Sequence, residues 1–173
     1  MAPPEHESFE AAVLPHLDAA FTLARWLMRD RDDAQDVVQE ALVRALTYFP
    51  SFRGTNARGW LLQIVRNAAY GSMKLNRGAP TVPTDAVEES ALADPGDDPE
   101  ALLIKQQDRA RVGEAIAGLE VELREALVLR ELEELSYTEI AQVTGAPIGT
   151  VMSRLWRARR TLAATLRVEG RVR

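Results

Sequence analysis

Apolar residues recur every three or four positions along most of the chain, and the interruptions in that rhythm cut it into segments of helical length. Before residue 79 the pattern predicts three helices, over residues 8–28, from Asp32 or Asp33 to 48, and over 57–75, the first bent or restarted at Pro15. After residue 98 it predicts four more, over residues 99–117, 120–132, 137–144 and 148–167. No strand-like alternation stands out. The expected fold class is all-α: two small helical domains joined by a flexible acidic linker.

The second predicted helix separates into faces. Val38, Ala41, Leu42 and Ala45 form the stripe that should meet a core. Asp33, Asp36, Val37, Glu40 and Arg44 share another face, with Gln39 beside them, and a valine among those charges hints at a protein-binding surface. The stretch 49–58, FPSFRGTNAR, then leads into Trp60 and brings aromatics, amides and arginines together without an acid. Phe49, Phe52 and Trp60 are expected to anchor this loop to the core. Arg53, Asn56, Arg58 and Asn67 have polar heads to present to nucleic acid.

Residues 136–162, SYTEIAQVTGAPIGTVMSRLWRARRTL, carry the sharpest local signal. Ser136 and Glu139 have capping-box spacing, Gly145 suits a left-handed helix end, and Pro147 suits the start of the next helix. Ile140 and Ala141 should pack against Val151 and Leu155, which makes the unit a helix-turn-helix. Thr150, Ser153, Arg154 and Arg157 lie on one face of its second helix at spacings of three and four, with Arg159 and Arg160 behind them. Such a face can donate to base edges and phosphates together.

Composition changes the picture in two places. The formal net charge of −5 argues against a nucleic-acid partner, but its distribution reverses that argument. Residues 41–84 contain no acid while holding Arg44, Arg53, Arg58, Arg66, Lys74 and Arg77, and from Pro147 onward Glu169 is the only acid among seven arginines. Between these basic stretches lies 79–98, where Pro80, Pro83 and Pro95 break any helix and every charge is acidic. That composition predicts an extended tether, long enough at roughly 60 Å to let the halves occupy separate places. With no cysteine and only His6 and His16, thiol chemistry and Cys/His metal sites are excluded. Asp97 and Asp98 read as tether charge, and no nucleophile is paired with a base, so neither a catalytic residue nor a metal or other cofactor is expected. There is no apolar span or signal-peptide pattern, which makes a cytoplasmic location the expectation.

In the segments DAQDVVQEALVRALTYFPSFRG and RGWLLQIVRNAAY, followed by the terminal helix-turn-helix, the chain resembles the bacterial sigma-70 family in its small extracytoplasmic-function form. The resemblance implies a sigma-2-like domain over 1–78, a linker over 79–98 and a sigma-4-like domain over 99–173. It implies a non-enzymatic factor that binds core RNA polymerase, reads the promoter −10 and −35 elements and answers to an anti-sigma factor. Asp36, Gln39 and Glu40 would dock on the clamp of the β′ subunit, with the β subunit as a further contact. Arg53, Asn56, Arg58 and Asn67 would lie at the −10 element, and Thr150, Ser153, Arg154 and Arg157 would enter the −35 major groove. Met152 departs from the family at a position often basic or polar. Two other readings stay open: a stand-alone helix-turn-helix regulator, and a sigma-like decoy that sequesters an anti-sigma factor.

Overall fold

A computed structural model describes residues 8–75, 96 and 98–171, all of whose regular elements are helical. Apart from Gly96 and Asp98, the predicted tether lies outside the described residues. The first half contains α1 (Phe9–Val13), α2 (Leu17–Leu27), α3 (Arg31–Tyr48) and α4 (Ala57–Leu75). The second contains α5 (Pro99–Ala117), α6 (Val121–Glu131), α7 (Tyr137–Thr144) and α8 (Ile148–Arg171).

Local chemistry accounts for several boundaries. Pro15 has no N–H to continue the ladder, so the chain takes a 3-10 turn over Leu14–His16 and restarts as α2. The Ala11 N–H donates to Ser8 Oγ (3.1 Å) at the start of α1, and the Asp32 N–H donates to Asp30 Oδ1 (2.7 Å) at the start of α3. At α4 the Gly59 N–H donates to Asn56 Oδ1 at 3.0 Å. A Cβ on Gly59 would stand only 2.7 Å from Asn56 Nδ2, so this cap favours a residue without one.

Helices α2, α3 and α4 pack together around Leu23, Leu27, Val38, Leu61, Leu62 and Val65. Val37 belongs to this core as well, with 2% of its surface exposed. The expectation that it marks a protein-binding face is therefore wrong, because the α3 core stripe is wider than the four residues assigned to it. The aromatic loop behaves as expected: Phe52 lies 4.6 Å from Trp60 between ring centroids, and Phe49 meets Phe9 edge-on at 5.5 Å.

The second half is not held apart from the first. Helix α6 lies against α2 on one side and α8 on another, while α7 lies against α4. Leu119, Leu123, Leu127 and Ala158 form a cluster of their own, whereas Ala126, Val128 and Leu129 join the larger core shared with α2–α4. Consequently every residue from Leu123 to Leu129 is buried, Arg124 and Glu125 included. Burial all round a helix is the mark of an element sandwiched between layers.

Candidate nucleic-acid interface

The turn between α7 and α8 is set by its own residues. The Glu139 N–H donates to Ser136 Oγ and the Ser136 N–H donates to Glu139 Oε1, both at 3.1 Å, closing the capping box. Gly145 takes φ of 70° and its N–H donates to the Ala141 carbonyl at 2.9 Å. Ile140, Val143, Val151 and Leu155 are buried between the two helices. Backbone hydrogen bonding at Ser136 holds the Glu139 carboxyl below its ordinary range. A depressed folded-state value means that the contribution is present above the unfolded value and is lost as pH falls through the folded one. Ser136→Ala should lower the stability of the helix-turn-helix by about 1 kcal/mol, measured by denaturant unfolding.

With Val151, Leu155 and Ala158 turned inward, the opposite side of α8 presents Met152, Ser153, Trp156, Arg157 and Arg160 to solvent. Of the four residues expected at duplex DNA, Ser153 and Arg157 are exposed, while Thr150 and Arg154 are half-buried. Arg154 contributes to the electrostatic field at Glu125. The structure thus divides the expected face. Arg157 has only a 3.9 Å approach to Glu120, and both side chains remain largely in water. Trp156, 59% exposed, was not anticipated as a surface residue. The Arg160 guanidinium sits 5.0 Å from its ring centroid, and together with Tyr137, Met152 and Arg159 they line a depression of about 580 Å³. The signal available in the sequence was spacing: Met152, Trp156 and Arg160 recur every four residues.

The residues expected at unpaired DNA also divide. Arg53, Asn56 and Asn67 are exposed. The Arg53 Nη1 donates to the Pro50 carbonyl (2.6 Å), and Asn56 Oδ1 caps α4, leaving its amide nitrogen to present. Arg58 is engaged by the other half: its Nη1 donates to the Glu133 carbonyl at 3.2 Å and its Nη2 lies 3.7 Å from Glu139. On α3, Asp36, Gln39 and Glu40 are all exposed. Glu40 accepts from Arg44 Nη2 at 2.6 Å, an exposed pairing one helical turn along. Among the described residues no cluster of three or more His, Asp or Glu has the makings of a metal site, and no helix is long and apolar enough to cross a membrane.

Two family profiles match these two halves in order: Sigma-70 region 2 over residues 12–77 and Sigma-70, region 4 over residues 109–162. The RNA polymerase sigma-H factor of Pseudomonas aeruginosa is 35% identical over 170 residues, covering 94% of this chain and 88% of that protein. The chain belongs to the bacterial sigma-70 family, in its extracytoplasmic-function branch by its likeness to an ECF sigma-E factor. As a sigma factor it is a regulatory subunit of RNA polymerase and not an enzyme. The ECF RNA polymerase sigma-E factor of Escherichia coli K12 is similar, at 39% identity over 137 residues, which is 75% of this chain and 72% of that one. Among solved structures, the sigma factor RpoE of Bartonella quintana in complex with the anti-sigma factor NepR superposes with a TM-score of 0.73 at 30% identity, over 92% of this chain and 97% of that chain. CnrH in complex with the cytosolic domain of CnrY gives 0.65 at 26%, over 92% and 88%.

Proposed function

We propose that this sigma factor reads its promoter through two separate faces. Ser153 and Arg157, flanked by Trp156 and Arg160, enter the −35 major groove. Arg53, Asn56 and Asn67 contact the unpaired −10 strand, and Arg58 joins them once freed from Glu133 and Glu139. The observation that carries this reading is the solvent-facing side of α8, where Ser153 and Arg157 stand free of the core on a helix whose opposite side is buried at Val151, Leu155 and Ala158. Thr150 and Arg154 flank that face, Thr150 near the groove and Arg154 in reach of phosphate. The working units are 1–78, 79–98 and 99–173, and the protein acts in the cytoplasm, where polymerase is.

Opening the −10 region calls for no covalent chemistry. An unstacked base must be held better than a stacked one, and unstacking costs a few kcal/mol per base, which aromatic and polar contacts offset. Tying two modest DNA contacts to one polymerase raises their joint strength through effective concentration. Likeness to the RpoE–NepR complex supports control by an anti-sigma factor. Run-off transcription by core polymerase over a promoter library tests the whole reading: enrichment of two spaced elements supports it, and enrichment of a palindrome bound without polymerase would replace it with a stand-alone regulator.

Asp36, Gln39 and Glu40 form the surface for the β′ clamp, their exposure being the supporting fact. Like charges brought together across an interface cost several kcal/mol. Against a clamp that accepts an acidic face, Asp36→Arg should weaken association with core polymerase by about tenfold or more, read by competition for core against the unaltered protein.

A further inference from the structure

Glu125 is fully buried, and the donors that hold it belong to the other half of the molecule. From α4, Arg66 Nε donates to Oε1 and the Tyr70 hydroxyl donates to Oε2 at 2.8 Å. The Arg66 guanidinium also lies over the Tyr70 ring, 4.3 Å from its centroid. Beside this group Arg124, itself buried, donates through Nη1 to the carbonyls of Ala117 (3.0 Å) and Leu119 (2.9 Å), while its Nη2 reaches the Leu27 carbonyl at the end of α2 (3.5 Å). Near the start of α4, Arg58 is held by Glu133 and Glu139. Charged groups therefore line the seam from one end of α4 towards the other.

A carboxylate taken out of water is costly to keep ionised unless paired and hydrogen-bonded. Burial pushes the Glu125 carboxyl upward, against the opposing pull of Arg66 and Tyr70. If the halves separate, Glu125 returns to water and Arg66 and Tyr70 are released together. The same seam covers Arg58, which the proposed function assigns to the −10 strand, whereas Asp36, Gln39 and Glu40 remain open on α3.

We propose that Glu125 is an interdomain latch: by clamping Arg66 and Tyr70 it keeps the free protein closed, with Arg58 withheld from DNA, and the latch must release before the −10 strand is engaged. Polymerase docking through α3 needs no such release, so docking precedes opening. The assignment of Arg58 rests on the function proposed above; the latch itself rests on the buried seam.

The chain lacks cysteine, so Leu46→Cys and Ala163→Cys, both at exposed positions, place a donor–acceptor dye pair with one label on each half of the full-length protein. Transfer efficiency in the free protein should be high and independent of concentration. Glu125→Gln, nearly isosteric, should lower it at least twofold, and Tyr70→Phe, which removes one donor, should lower it less, with helicity unchanged in both. Addition of core polymerase and a promoter recovered from the library should bring the wild-type value down to that of the Gln variant. Unchanged transfer in Glu125→Gln, or persistently high transfer in a transcribing complex, overturns the latch. Arg58→Ala in the Glu125→Gln background separates the two ideas: lost transcription at low transfer supports both, while retained transcription at low transfer supports the latch and removes Arg58 from the −10 site.

Discussion

Arg157→Ala is expected to reduce transcription from promoters that depend on the −35 element by about 5- to 150-fold, the equivalent of the 1–3 kcal/mol carried by a base-specific arginine contact. The side chain is exposed and its nearest acid, Glu120, is 3.9 Å away and also exposed, so folding should be almost unaffected. Two measurements separate the sources of the loss. A matching fall in thermal stability would place Arg157 in the structure and not on DNA. If the fall is uniform across −35 variants and the salt dependence becomes shallower, the contact is to phosphate; if it is confined to one base position, the contact reads sequence. Arg154→Ala should behave differently, because Arg154 is half-buried and contributes to the field at Glu125. Its effect should include some loss of folding stability, seen in denaturant unfolding.

A second large effect is expected from Leu155→Ala, which should cost the helix-turn-helix about 2–5 kcal/mol through lost burial and the cavity left behind. Leu155 is 1% exposed and packs in the core that also contains Ile140 and Val151. Three residues earlier on the same helix, Met152 is 52% exposed, and Met152→Ala should move stability by no more than about 0.5 kcal/mol. Equal losses at the two positions in denaturant unfolding would mean that α8 is rotated from the orientation described. Because Met152 lines the depression beside Trp156, any change it makes in promoter preference should appear without a change in folding.

What could be read from the chain depended on how far apart the interacting residues are. Ser136 and Glu139 cap one another across three residues, and Gly145 ends α7 by its own backbone freedom, so sequence spacing was sufficient for both. Pro15 likewise announced a break that the structure resolves as a 3-10 turn. The seam was invisible because Arg66 and Glu125 are 59 residues apart, and nothing in the periodicity of α4 says that a carboxylate from α6 will meet it. The basic stretch 41–84 suggested nucleic acid by charge alone, yet Arg58 and Arg66 are matched by acids of the second half. Val37 departs from its expected exposure for a related reason: its neighbours on α3 are charged, but α3 is contacted by both α2 and α4, so a wider sector of it is covered. On α8 the arginines dominate the pattern, while Trp156 shares the four-residue spacing of Met152 and Arg160, which sets it on the side away from Val151 and Leu155.

Arg124 and Glu125, adjacent on α6, also bear on what happens to the surface after separation. An α6 whose outer side carried only residues such as Ala126, Val128 and Leu129 would present a bare apolar strip to water whenever the halves parted, inviting aggregation or immediate reclosure. Two charged side chains beside that strip hydrate readily once uncovered, so the surface is wettable in one state and largely hydrogen-bonded in the other. Contacts of this mixed character suit partners that must exist both together and apart, as transient interfaces do, whereas a wholly apolar seam belongs to pieces that never separate.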